Sequence, residues 1–305
     1  MHVIGVDIGG TRIKGRVFNA QWETVKEFSV DTDAAKGKEA ILTALSNVLD
    51  TLTNSSLAIA GIGIGSAGRI NAKTGEVVFA TDNLPGWNGF QLKNWVEQKY
   101  SIPTSVDNDA NTALIGEQFL SEHRFEESAV LLTLGTGVGG ANYIRGQIVR
   151  GAHHQSGEWG HTVLYPGGRP CNCGKNGCIE QYLSGTALLS EAEKQTGRAF
   201  THGREIFESM EKDDRLKRVV EEFIQNLVLV VGNISTSIDP DRVIVGGGVV
   251  ESYTYWWEDF LSALHEQGIT TELARATKLN KAGMYGAAHI ALEAWKEGRE
   301  EHETT

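Results

Sequence analysis

The chain carries the same glycine-tipped hairpin twice, and any fold it adopts must place both copies. Val3-Ile4-Gly5-Val6-Asp7-Ile8 reads as an apolar strand, Gly9-Gly10-Thr11 as a turn and residues 12–18 as a returning strand. Residues 130–134, Gly135-Thr136-Gly137 and residues 138–144 repeat the device. One glycine-rich turn between strands is only a turn; its duplication points to a shared ligand. Glycines let backbone N–H groups approach an anion and a threonine hydroxyl adds a donor, so a pair of such turns suits a polyphosphate gripped from both sides. Neither has the Gly-x-x-x-x-Gly-Lys-Ser/Thr spacing of a Walker A loop, and neither opens a helix as a dinucleotide-binding turn does.

Strand, helix and strand alternate through the first part of the chain, which makes it α/β. The pattern predicts a strand over 22–30 and an amphipathic helix over 37–52 with Ile41, Leu45, Val48 and Leu52 on one face. A buried strand over 57–64 then enters the loop Gly65-Ser66-Ala67-Gly68-Arg69, whose small residues let a ligand touch main chain. A loop over 83–87, a helix over 90–100, a strand over 104–107 and a helix from about Asn108 to Leu120 follow. The second part opens with strands near Ala129, is largely helical over 186–237, and returns to a strand over 242–245. That strand meets Gly246-Gly247-Gly248, a turn against which an adenine can lie flat. A last helix is expected over 282–295 and a frayed end over 300–305. The expected division is an N-terminal lobe, 1–120, joined by the C-terminal helix 282–298, and a second lobe, 121–281, meeting across a cleft with no low-complexity linker.

All three cysteines, Cys171, Cys173 and Cys178, fall in one short segment, with His161 just upstream in Gly157-Glu158-Trp159-Gly160-His161. Three thiolates and an imidazole make a closed, structural zinc site rather than a catalytic one with a vacant position. The spacing is Cys-x-Cys, not the Cys-x-x-Cys of a redox pair. Such a metal organises a loop, and the chemistry is expected beside it.

The chain has 305 residues, 40% of them hydrophobic, enough to bury a core without disulfides. Its formal charge of -11, with no run of Lys and Arg, excludes nucleic acid as an expected partner. The strand from His2 leaves no signal peptide and no apolar stretch spans a bilayer, so a cytoplasmic setting is expected, where thiols stay reduced and can hold zinc.

Taken together, the Asp7-to-Lys14 hairpin, Asn108-Asp109-Ala110-Asn111, the Leu134-to-Gly140 hairpin, Gly157-Glu158-x-Gly160-His161 and the segment from Cys171 to Glu180 resemble the ROK family of bacterial sugar kinases and related repressors. The resemblance implies a two-lobed α/β fold of the actin and hexokinase type, ribonuclease H-like, with the zinc segment in its second lobe. It implies ATP, Mg²⁺ and phosphorylation of a hexose at its C6 hydroxyl. Asp109 falls where such kinases keep the catalytic base; a helix N-cap aspartate is its plain alternative. Asp7 is expected to hold Mg²⁺ through water, with an Asx turn as the alternative. Gly9, Gly10, Thr11, Gly135, Thr136 and Gly137 are expected to face phosphate and Gly247 to lie near the adenosine; Lys14 or Arg12 adds charge, with a solvated strand face as the equal alternative. Gly68, Arg69, Asn108, Glu158, His161 and Glu180 are expected to read the sugar, His161 using one ring nitrogen for zinc and the other for a hydroxyl or a second acceptor.

Glucose is the expected hexose, with N-acetylmannosamine, N-acetylglucosamine and a β-glucoside as alternatives. Fructose is disfavoured because related fructokinases carry His-containing spacing in place of Cys-x-Cys. Repressors of the family carry a winged helix-turn-helix ahead of the kinase-like body, and a strand beginning at the second residue leaves no room for one. A sugar-binding protein without catalysis is the third alternative, opposed by Asp109 and both phosphate turns. A homodimer is the expected assembly. His153 and His154 read as polar loop, and Tyr253, Tyr255, Trp256 and Trp257 as core or dimer contact.

Overall fold

The computed structural model describes residues 1–54, 56–81, 84–120, 127–276 and 279–303. Asn83 of the expected loop, residue 121 at the expected lobe boundary, and Thr304 and Thr305 lie outside these. The chain divides into two units, one of Met1–Arg124, Arg150–Gln155 and Lys278–Thr305, the other of Phe125–Val149 and Ser156–Thr277.

The first unit opens with an antiparallel meander of β1 (His2–Ile8), β2 (Arg12–Phe18) and β3 (Thr24–Asp31). There follow α1 (Lys38–Thr53), β4 (Ile59–Ser66), β5 (Arg69–Asn71), β6 (Glu76–Phe79), α2 (Leu92–Tyr100), β7 (Thr104–Asn108) and α3 (Asp109–Leu120). The main sheet runs β3-β2-β1-β4-β7, with β4 parallel to β1 and β7 parallel to β4. Alternation sorts the residues of β1 between two faces. Ile4, Val6 and Ile8 are fully buried in a core with Ile41, Leu45, Val48 and Leu52 of α1, the stripe read from the sequence. Val3 joins a separate cluster with Phe18, and Asp7 shares its face.

The second unit holds β8 (Ser128–Leu134), β9 (Val138–Ile144), β10 (Gln147–Ile148), α4 (Glu180–Leu183), α5 (Gly185–Thr196), α6 (Gly203–Ser209), α7 (Asp214–Ile238), β11 (Arg242–Gly246), α8 (Trp257–Glu266) and β12 (Glu272–Arg275). Its sheet, β10-β9-β8-β11-β12, repeats the plan of the first: a three-stranded antiparallel meander extended by two parallel strands. The apolar face of α7, with Val220, Phe223, Leu227 and Val231, packs with Val130, Leu132 and Leu134 of β8. Trp256 and Trp257 are buried in this core beside Phe260.

The last helix, α9 (Leu279–Glu303), returns to the first unit and packs on β1, β4 and α3. It lies so close that a Cβ on Gly5 or Gly63 would strike the main-chain carbonyls of Met284 and Ala287. Met284 and Ala288 complete the cluster of Val3 and Phe18.

Several expectations change. Gly65 and Ser66 are strand, not loop, because Ile8 and Asn108 flank Ser66 in register and the pairing outweighs the weak strand preference of glycine and serine. Arg69 begins β5 of a small hairpin with β6, which the sequence reading lacks, as it lacks β10, β12 and α8. The expected frayed end is helix as far as Glu303.

Candidate active site

Asp7 is the penultimate residue of β1 and Asp109 begins α3, and register explains their meeting. Asp7, Gly65 and Asp107 are directly paired across β1, β4 and β7. Gly65 has no side chain to fill the space between, and a Cβ there would lie 3.5 Å from the Asp109 Cα. Loss of hydration raises the Asp109 pKa above the ordinary carboxylate value. Burial, then the charge of Asp109, pushes Asp7 up to about 6, while Lys14, its partner across β1 and β2, pulls the other way. Of the two cations near the first turn, Lys14 therefore stands by Asp7, whereas Arg12 pairs with exposed Asp31 at 3.4 Å.

The plain alternatives for these aspartates do not match the hydrogen bonds. The cap of α3 is Asn108, whose Oδ1 accepts from the N–H groups of Ala110 (2.9 Å) and Asn111 (3.2 Å). Asp109 accepts from the N–H of Ala110 at 2.9 Å, the residue next to it, and not from the N–H of Asn111 as the Asn108 cap does. Asp7 makes no Asx turn among the described residues. The Asn108 Nδ2 donates to the Gly68 carbonyl at 2.9 Å, which ties the Gly68 loop to the start of α3. Trp87, fully buried, donates to the Ser66 hydroxyl at 3.1 Å beneath the same loop. The Arg69 guanidinium lies over the Phe79 ring at 4.8 Å.

The two glycine turns are closed differently. The Gly9 N–H donates to the Arg12 carbonyl at 3.1 Å and the Gly135 N–H to the Gly137 carbonyl at 2.9 Å, so these two donors hold the turns themselves. Gly10, Thr11, Thr136 and Gly137 supply the donors that remain. The second turn is braced by α5, whose Gly185 N–H donates to Gly135 O (2.7 Å) and whose Thr186 hydroxyl donates to Thr136 O (2.8 Å). Buried Ser184 caps α5 by accepting from the Ala187 N–H at 3.1 Å. Beside this brace the second unit contains a cavity of about 630 Å³, lined among others by Thr136, Thr186, His202, Gly248 and Glu251. That volume suits a nucleoside. Gly247 has φ +96°, a conformation glycine adopts without strain, and turns the chain past Leu134 into the wall of the cavity. The cavity's α5 and 202–208 walls were not among the sequence-predicted contacts; the Ser184-Gly185 cap was the available signal.

The His161, Cys171, Cys173 and Cys178 ligand atoms all lie within 4.8 Å of one another. The Cys171 Sγ is 3.7 Å from the His161 Nδ1, and Cys173 and Cys178 have sulfurs 3.6 Å apart. Tetrahedral zinc with its usual thiolate bonds separates sulfurs by about 3.8 Å, so the donor set and its spacing fit that ion. Burial, then the neighbouring sulfurs, pushes Cys178 up to about 12, a resistance to ionisation that a divalent cation relieves. Nδ1 is the ring nitrogen turned to the thiols.

The zinc segment is fastened to the second hairpin. Glu180 accepts from the Val138 N–H at 3.0 Å, and a Cβ on Gly137 would collide with the same carboxylate. Glu158 opens the short turn Trp159–His161, with the His161 N–H donating to its carbonyl at 3.0 Å. Gly160 of that turn lies against the Val138 carbonyl. Glu158, His161, Glu180 and the Gly135–Gly137 turn are thus brought together within one unit, as Asp7, Lys14, Gly68, Asn108 and Asp109 are in the other.

The ROK family model matches residues 3–294. Over 265 residues the chain is 34% identical to a glucokinase of Halalkalibacterium halodurans, covering 81% of this chain and 80% of that protein. It is 29% identical over 299 residues to a beta-glucoside kinase of Listeria monocytogenes, covering 96% and 98%. Among solved structures, a ROK family glucokinase from Streptomyces griseus in complex with glucose and AMPPNP superposes with a TM-score of 0.83 at 28% identity, covering 96% of this chain and all of that one. A family match that begins in the first strand and ends in the last helix, with a superposition that covers nearly the whole chain, leaves one conclusion: this chain belongs to the ROK family.

Proposed function

We propose that the protein is an ATP-dependent hexose kinase that transfers the γ-phosphoryl group to the C6 hydroxyl of glucose. The observation that carries this reading is Asp109, a carboxylate of raised proton affinity held at a helix start by a cap that is not its own. As the sugar oxygen attacks phosphorus, Asp109 accepts the hydroxyl proton and the bond to the departing ADP breaks. Asp7, which accepts no hydrogen bond among the described residues, has the carboxylate to hold Mg²⁺ through water; that ion would offset phosphate charge. Gly10, Thr11, Thr136 and Gly137 donate to phosphate oxygens, and Gly247 and the cavity beside it take the nucleoside. Asn108, Gly68 and Arg69, with Glu158, His161 and Glu180, read the sugar hydroxyls. A hydroxyl of the wrong stereochemistry leaves one of these groups unpaired, which is a strong discriminator.

A β-glucoside is the second reading, supported by the Listeria relative's full-length similarity. N-acetylmannosamine and N-acetylglucosamine stand behind it. The test is ADP release by zinc-loaded protein against a panel of these sugars, with the product's phosphorylated carbon assigned by NMR. Glucose is expected to give the highest kcat/KM and a C6 phosphate. Release that no sugar stimulates would end the kinase reading, and a β-glucoside preferred over glucose would replace the substrate.

A further inference from the structure

Asp107 is 1% exposed, stands two residues before Asp109 on β7, and has no part in the chemistry above. Both of its oxygens are engaged. Oδ1 accepts from the Asn108 N–H at 2.8 Å and from the Asn111 Nδ2 at 2.9 Å. Oδ2 accepts from the Arg150 Nε at 2.9 Å and from its Nη2. Arg150 arrives on a short excursion of the chain, Arg150–Gln155, which belongs to the first unit although the sequence on either side belongs to the second. A carboxylate this buried needs a cation, and removing that cation leaves an uncompensated charge inside the protein.

The groups on Oδ1 say what the pair is for. Asn108 is the cap of α3 and Asn111 ends its first turn, so Asp107 holds the residues on both sides of Asp109. Asn111 is itself buried, and its Oδ1 has no partner among the described residues, so its bond to Asp107 is what orients the amide. A loosened first turn moves the Asp109 carboxylate while leaving the helix and sheet intact.

We infer that Arg150 and Asp107 are positioning residues: their ion pair locks the first turn of α3 so that Asp109 meets the sugar hydroxyl in reactive geometry. This rests on Asp109 being the base. The experiment compares wild type, Arg150→Gln, Arg150→Lys, Asp109→Asn and the Arg150→Gln/Asp109→Asn double variant, all full-length and zinc-loaded, by steady-state kinetics and by calorimetric sugar binding. Arg150→Gln is expected to lower kcat roughly ten- to a hundredfold while sugar affinity stays within about threefold, the signature of misplacement rather than lost binding. Lysine, which keeps the charge without the fork, recovers part of the loss. On the Asp109→Asn background the same change costs nothing further, because the group it positions is gone. An unchanged kcat in Arg150→Gln, an equal loss on both backgrounds, or a loss confined to sugar affinity overturns the proposal. If the glutamine variant does not fold, the lysine variant runs the same cycle and decides. Wild type without sugar-stimulated turnover overturns the kinase reading and this one with it, whereas active wild type matched by Arg150→Gln overturns this one alone.

Discussion

The charge of Asp109 opposes the ionisation of Asp7 and burial opposes that of both, yet both must be charged for the proposed roles. Asp109→Asn keeps the shape of the side chain and removes the proton acceptor. Turnover is expected to fall roughly 10²–10⁴-fold with sugar binding retained, measured by kinetics and calorimetry; full activity would remove Asp109 from the base role. Asp7 gives a pH dependence of definite sign. Its folded pKa of about 6 exceeds the ordinary 3.8, so folding favours the protonated carboxyl. That contribution to stability is complete below pH 3.8 and is lost as pH rises through about 6. Asp7→Asn, which cannot ionise, is therefore expected to gain stability relative to wild type across this window in denaturant titrations without divalent cation. Added Mg²⁺ should narrow the difference if Asp7 holds it. Of these residues, the sequence disclosed the ones whose neighbours in the chain are also their neighbours in space, such as the Asp7 hairpin. Arg150 and Asp107 escaped it because 43 positions separate the partners, and no local pattern marks a pair at that distance.

Among the elements, the zinc segment was the most legible. Metal ligands must be spaced so that one ion reaches them all, and that demand is written into a few consecutive residues. The β5–β6 hairpin was invisible for the opposite reason: strands of three and four residues are too short to show alternation. The metal's role is testable at this scale. Stripping zinc with a chelator, or replacing Cys178 with serine, is expected to abolish bound metal by elemental analysis and to weaken sugar binding about tenfold or more, since partners of metal ligands lose that much when displaced. Nucleotide binding should change far less, because the cavity is braced by α5 and its Ser184 cap rather than by the thiols. An apo protein that binds sugar like the loaded one would make the metal irrelevant to recognition.

At the scale of the molecule, the fold is of the ROK and hexokinase kind, and its repeated hairpin proves to be one part of a repeated five-stranded sheet. Reading the turns was possible because glycine fixes them locally; reading the sheets required long-range pairing that the sequence does not spell out. The first unit depends on α9 from the far end of the chain. Met284→Ala, at a site 1% exposed, is expected to cost about 2–5 kcal/mol, detected as faster hydrogen exchange in β1 and β4 with β8 and β11 unaffected. Uniform acceleration across both sheets would show that the units do not unfold separately. The same helix sets an order of assembly on the ribosome. Domains usually mature from the N-terminus as they emerge, but here β1 and β4 keep one face bare until α9, far later in the chain, is synthesised. The second unit can finish first, and the nascent sheet of the first unit is the surface a chaperone would find waiting.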